Sequence, residues 1–205
     1  TMLGYGRGAA AIARQCQEEG LDVGASDAQT VIDTVLRMYP GIPVLQQSLK
    51  NRARNECWVR NCFGRLRRVA TTDDTLAMGD VERQLLNYPM QSGVADAIST
   101  SLYYLYNDPR KFDLGYKIVL QIHDAVVLEV PTRSLDVVYN EVMSQAMVDK
   151  VSFQSCDLDG KPYPDSPHYH FGIDIDVYTR WGVSLTSDDC DQLGIDRRYG
   201  KQSEE

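Results

Sequence analysis

Long apolar runs are missing from this sequence. Stretches such as Ile118 to Leu120 and Ala125 to Leu128 are broken within a few residues, far short of the roughly 20 needed for a helix to cross a bilayer. The expectation is a soluble chain without a membrane partner. No basic segment followed by an apolar one opens the sequence, so secretion has no support. The five cysteines (Cys16, Cys57, Cys62, Cys156, Cys190) are odd in number and scattered, with no CxxC pair, and read as free thiols in a reducing compartment. The three histidines are too few for the multi-histidine clusters of metal-dependent phosphohydrolases. Positive charge is also short: 21 Lys and Arg stand against 29 Asp and Glu, a net charge of -8. That balance argues at first against a nucleic-acid binder, because phosphate contacts need basic side chains.

The average conceals an asymmetry. Between Arg37 and Ala70 lie eight basic residues (Arg37, Lys50, Arg52, Arg54, Arg60, Arg65, Arg67, Arg68) and one acid, Glu56. Local charge, not the total, sets a binding face. The acidic remainder is densest from Asp157 to Glu205. With 205 residues, 43% of them hydrophobic, the chain can bury one substantial core, as a single domain or as a large part of an assembly.

The pattern predicts helices over Ala9 to Glu19, from a Ser26 cap toward Tyr39, and over Val44 to Glu56 with Pro43 in the first turn. Cys57 to Val59 and Leu66 to Val69, flanking Asn61-Cys62-Phe63-Gly64, predict a hairpin that carries the arginines, followed by a polar loop from Thr72 to Gly79. Val81 to Tyr106 is helical in pattern, with a break expected at Pro89 into two helices. Tyr116 to Val130 predicts two strands joined by a tight turn at His123-Asp124. A helix capped by Thr132 or Ser134 should run to Met147. A loop rich in Pro, Gly and Asp follows over Ser155 to Tyr169, then an edge strand over Phe171 to Tyr178. Helices leading into an antiparallel hairpin with a further helix packed on it give an α+β class.

Three segments, in order, carry more than secondary structure: Tyr5-Gly6, then Glu82-Arg83-Gln84-Leu85-Leu86-Asn87-Tyr88-Pro89-Met90-Gln91, then Gln121-Ile122-His123-Asp124. An ERxxxNxPxQ row followed by a hydrophobic hairpin bearing QxHD resembles the closing motifs of family A (DNA polymerase I-like) DNA polymerases. The likeness extends from Thr1 to about Trp181. It implies the C-terminal part of the polymerase fingers, mostly helical, and of the palm, an antiparallel sheet with packed helices. The corresponding divisions are 1–56 for the remaining fingers helices, 57–183 for the palm part with the HD hairpin, and 184–205 for a tail.

The resemblance implies template-directed DNA synthesis, with primer-template DNA and dNTPs as partners and two Mg2+ ions as cofactors. Asp124, at a hairpin tip, matches the metal-binding aspartate, and His123 the histidine at the primer end. Tyr5 and Gly6 match the end of the nucleotide-binding fingers helix. Arg83, Asn87, Gln91 and Gln121 match duplex-contacting residues, and Arg65, Arg67 and Arg68 a GRRR-like strand near primer and template, here interrupted by Leu66. Minor-groove acceptors shared by all correct pairs suit such a shape-checking row. Ala125 departs from the pattern, since a glutamate usually follows the aspartate. The family's first catalytic aspartate and the basic fingers turns find no match, so an N-terminal polymerase polypeptide is the implied partner.

Thr1 falls inside a fingers motif and supplies the hydroxyl that protein splicing requires, so the expected origin is a split gene or an intein insertion, phage-like, acting in the cytoplasm of a bacterial or phage-infected cell. The alternative from a different class is a non-catalytic DNA-binding or assembly remnant that Ala125 marks. His168-Tyr169-His170 lacks a third ligand at metal spacing. Tyr103, Tyr104 and Tyr106 are expected to pack in the core rather than stack on bases.

Overall fold

The computed structural model describes residues 8–70 and 75–200; Tyr5 and Gly6 lie outside them. Two compact units form, one from residues up to 94 with 154–167, the other from 95–153 with residues from 168 onward. The fold is α+β, with helices and small antiparallel sheets.

In the first unit, α1 (Ala9–Glu18) stops where Gly20 takes a left-handed φ of 81°, and packs on α2 (Ala25–Met38). The cap of α2 is Gly24, not Ser26: the Gly24 amide donates to the Asp27 carboxylate at 3.2 Å, so an acid inside the first turn reaches back and fixes the start. Helix α3 (Gly41–Asn55) carries Pro43 in its first turn and begins before the expected Val44. It buries Leu49 and Ala53 against Val59 of β1 (Trp58–Arg60) and Leu85 and Leu86 of α4 (Thr75–Tyr106). Strand β1 pairs antiparallel with β2 (Leu66–Arg68), Trp58 opposite Arg68 and Arg60 opposite Leu66.

Helix α4 corrects two expectations. The loop placed over Thr72 to Gly79 is helical from Thr75, and no break occurs at Pro89. Proline at 89 removes the amide that would bond the Leu85 carbonyl and crowds that carbonyl. The helix continues because both flanks are held by packing. Leu85 and Leu86 are buried in the first unit, while Ile98 and Leu105 are buried in the second, where Ser101 also lies inside. Burial on either side outweighs a local preference. Pro89→Ala is therefore expected to raise unfolding free energy by about 1 kcal/mol or more, read from chemical denaturation; a loss of stability would show that the proline is required by the fold.

In the second unit, the hairpin of β3 (Lys117–Ile122) and β4 (Ala125–Glu129) packs through Ile118, Val126 and Leu128 on a core of Leu105, Tyr116, Val138, Val142 and Ala146. Tyr116 is buried and its hydroxyl donates to the Leu105 carbonyl at 2.6 Å; burial pushes its pKa up to about 12. The helix after β4 opens as a 3-10 turn at Thr132–Ser134 with no side-chain cap, neither Thr132 nor Ser134 acting as expected. It passes through α5 (Leu135–Val137) into π-helical turns at Val138–Val142 and Gln145–Asp149. Strands β5 (Ser152–Gln154) and β6 (His168–His170) pair, so the expected loop already ends at His168. The edge strand expected over Phe171 to Tyr178 is not a ladder. Residues 171–177 alternate half-buried and exposed, with Ile173 and Ile175 on the core, but the strand proper is β7 (Tyr178–Arg180), paired with β8 (Val183–Ser184). Alternation reports burial; strand assignment also needs a hydrogen-bonded neighbour. Helix α6 (Ser187–Leu193) follows, with a Thr186–Asp189 capping box and Gly194 at its end.

The connection into β3 is held by charge. Asp108 accepts from the Arg110 amide and guanidinium at 2.8 to 3.1 Å, and Arg110 also reaches Glu141 at 3.0 Å. The Arg110 hydrogen bonds hold the Asp108 carboxyl below the usual carboxylate range. A depressed folded-state pKa contributes stability that is complete above the unfolded value of about 3.9 and is lost as pH falls through the folded value. Asp108→Asn should remove that part of the acid sensitivity, so the melting-temperature gap between wild type and variant should narrow as pH falls below about 4.

Candidate nucleic-acid and metal-binding site

At the tip of the β3–β4 hairpin, Ile122 is paired with Ala125, leaving His123 and Asp124 as a two-residue turn. His123 has φ 51°, a left-handed backbone unusual for a residue with a Cβ. The turn lifts both side chains off the apolar strands, and both are exposed. Gln121 Nε2 donates to the His123 carbonyl at 3.4 Å and braces the turn from β3. Among the described residues, no group of three or more His, Cys, Asp or Glu side chains could enclose a metal ion. Asp124 thus offers one exposed carboxylate, which fits a partial magnesium site, since magnesium keeps waters and takes one or two carboxylates with substrate phosphates.

In the first unit, the continuity of α4 places Arg83, Asn87 and Gln91 on one face at intervals of four. Arg83 and Gln91 are exposed, and Arg83 pairs with Asp80 one turn earlier. Asn87 is half-buried, and its Oδ1 is buried without a hydrogen-bond partner among the described residues. A buried acceptor left so costs about 1–3 kcal/mol.

The basic hairpin lies against the same helix. Strand alternation puts Arg67 on one face and Leu66 with Arg68 on the other. Arg67 Nη2 donates to Gln84 Oε1 at 2.7 Å and its guanidinium lies 5.5 Å from the Tyr88 ring centroid. Arg65 and Arg68 are exposed. The basic segment is not uniformly available for phosphate. Arg52 is committed to Asp159 at 2.7 Å, Glu56 at 3.2 Å, the Leu158 carbonyl and the Trp58 ring, and Arg54 pairs with Glu82 at 2.6 Å.

Sequence reasoning missed Gln84 and Tyr88, which hold Arg67, and Asn61, buried in the turn before β2. Asn61 stood in the Asn61-Cys62-Phe63-Gly64 turn, and the preference of asparagine for turns was the available signal. Of the tyrosines expected in the core, Tyr104 packs there, whereas Tyr103 and Tyr106 are exposed. His168 Nδ1 lies 3.3 Å from Ser152 Oγ and His170 Nδ1 is 2.8 Å from the Val148 carbonyl. All five cysteines are free. No helix among the described residues is long and apolar enough to cross a membrane.

Comparison with known proteins gives a consistent result. The description of DNA polymerase family A matches residues 3–159, ending earlier than the likeness to Trp181 read from the motifs. Among curated relatives, DNA polymerase I of Lactococcus lactis subsp. lactis is 28% identical over 132 residues, 62% of this chain and 15% of the relative. DNA polymerase I of Streptococcus pneumoniae is 30% identical over 135 residues, 64% of this chain and 15% of the relative. DNA polymerase I B, chloroplastic/mitochondrial, of Arabidopsis thaliana is 27% identical, covering 65% and 12%. The chain therefore spans about a seventh of the length of such relatives. A solved structure of the POL domain of Pol1 from M. smegmatis, in complex with DNA primer-template and dNTP, superposes with a TM-score of 0.63 at 21% identity, over 77% of this chain and 26% of that one. That likeness is one of fold.

Proposed function

The chain belongs to DNA polymerase family A, and from that premise we propose that it supplies the C-terminal fingers and palm part of a template-directed DNA polymerase working in the cytoplasm. Residues 1–56 are assigned to the fingers, 57–183 to the palm and 184–205 to a tail. The observation that carries the proposal is the two-residue turn that presents Asp124, exposed, at the end of an apolar hairpin.

Asp124 would hold one side of two magnesium ions whose charge stabilises the attacking and leaving oxygens of phosphoryl transfer, the other carboxylate coming from the polymerase polypeptide N-terminal to this chain. His123 orients the primer terminus by donating from its imidazole. Gln121 keeps the turn in shape through the His123 carbonyl. Arg83, Asn87 and Gln91 follow the minor groove of the nascent duplex, where shared acceptors allow shape checking without sequence preference. Arg65, Arg67 and Arg68 neutralise backbone phosphates. Tyr5 and Gly6 pack against the incoming dNTP.

Complementation tests this directly. Mixed with a family A polypeptide carrying the first aspartate and the triphosphate clamp, the chain should turn on primer extension in magnesium, while each part alone gives none. Extension by the N-terminal polypeptide alone, unaffected by this chain, would remove the assigned role. The Ala125 departure supports a second reading, a non-catalytic duplex-binding remnant, which the same assay separates: such a protein binds primer-template and extends nothing.

A further inference from the structure

Asn61 is 1% exposed, and each polar atom of its side chain is used. Its Oδ1 accepts from the backbone amides of Phe63 at 3.0 Å and Arg65 at 2.9 Å, closing the turn that launches β2. Its Nδ2 donates to Ser92 Oγ at 2.9 Å, and Ser92 Oγ donates to the Tyr88 carbonyl at 2.6 Å, on the stretch of α4 that carries Asn87 and Gln91. Its own backbone brackets the turn as well: the Asn61 amide donates to the Arg65 carbonyl and the Gly64 amide to the Asn61 carbonyl. The far side of the turn is pinned to the same helix, because Tyr88 Oη donates to the Arg65 carbonyl at 3.2 Å.

We propose that Asn61, acting through Ser92, is a positioning residue that fixes the spacing between the basic turn at Arg65 to Arg68 and the Arg83, Asn87, Gln91 row, so that phosphate and minor-groove contacts are made in one register. The inference rests on the duplex-binding role proposed above. An asparagine serves where a purely apolar residue would not, because two backbone donors and one helix-bound hydroxyl must be met from a single buried point. A register fixed in advance spares the ordering of the hairpin on binding. Asn61 touches no DNA itself; its effect reaches the ligand through Arg65 and the residues that follow.

The test is the salt dependence of primer-template duplex binding by the full chain, followed by fluorescence anisotropy, since the slope of log affinity against log salt counts phosphates neutralised together. Three variants divide the contacts. Asn61→Ala removes all three side-chain bonds, Asn61→Asp keeps the acceptors for Phe63 and Arg65 but not the donation to Ser92, and Ser92→Ala keeps the turn but cuts the tie to α4. Asn61→Ala is expected to bind about 10-fold more weakly with a slope lowered by about 1, with Asn61→Asp and Ser92→Ala showing smaller losses in the same direction. Asn61→Ala combined with Arg65→Ala should lose less than the sum of the single losses. If Asn61→Ala fails to fold, Asn61→Asp and Ser92→Ala decide the question. A merely structural role would lower the melting temperature while leaving the slope unchanged and the losses additive, and that result overturns the proposal. Wild-type chain that shows no salt-dependent duplex binding would overturn the duplex-binding role and this inference with it; steep wild-type binding matched by Asn61→Asp and Ser92→Ala would overturn this inference alone.

Discussion

Replacing Asp124 with alanine should abolish primer extension by the complete polymerase while leaving primer-template affinity unchanged or slightly tighter. Asp124 stands exposed at a hairpin tip, and its side chain is not part of the core that holds the hairpin. The substitution therefore removes a carboxylate without unfolding what presents it. On the proposed role, loss of this carboxylate forfeits several kcal/mol of transition-state charge stabilisation, and at 1.36 kcal/mol for each tenfold step the rate should fall by about 10³ or more. If Asp124 faces the primer-template as proposed, affinity should not fall, because the substitution removes a negative charge. Asp124→Asn should be nearly as damaging, since the amide keeps the shape but not the charge. Extension reduced only a few-fold in either variant would show that the metal is held without Asp124.

The second large effect is expected from Arg65, Arg67 and Arg68 together. Replacing all three with alanine should lower the slope of log duplex affinity against log salt by about 2–3 and weaken binding by about 10²-fold at physiological salt. Arg68 is exposed, whereas Arg67 is already shared with Gln84 and Tyr88. Arg68→Ala alone should accordingly cost more affinity than Arg67→Ala. Arg52 serves as the internal contrast: its guanidinium is committed to Asp159, Glu56 and the Leu158 carbonyl, so Arg52→Ala should lower stability and leave the salt slope alone. A slope unchanged in the triple variant would place the duplex elsewhere.

Both expectations depend on local sequence features that were legible from the start. Two short apolar runs, Ile118 to Leu120 and Ala125 to Leu128, on either side of His123-Asp124 encode a hairpin and its turn, and no distant part of the chain has to be consulted. The basic hairpin was equally visible, because the Asn61 to Gly64 turn separates two short runs of strand-forming residues. What was not legible depends on partners far along the sequence. The break expected at Pro89 did not occur because two cores hold α4 on either side. The strand expected over Phe171 to Tyr178 has the burial rhythm but not the ladder. Arg67 could be seen as basic, but not as bonded to Gln84, and Asn61 could be seen as a turn residue, but not as tied to Ser92 on α4. Periodicity shows which face is buried; it does not name the neighbour that satisfies a polar group. The Thr186–Asp189 capping box is the opposite case, a local signal present in the sequence beyond Trp181, where the family likeness ends.

The most direct measurement is single-turnover incorporation of one correct dNTP by the chain mixed with a family A polypeptide that carries the first aspartate and the triphosphate clamp, on a primer-template duplex, with and without magnesium. The expected result is magnesium-dependent addition of one nucleotide, at a rate that Ala125→Glu raises or leaves unchanged. Tight duplex binding with no incorporation, in the assembled wild type and in Ala125→Glu alike, would contradict the account and leave a protein that holds DNA without extending it.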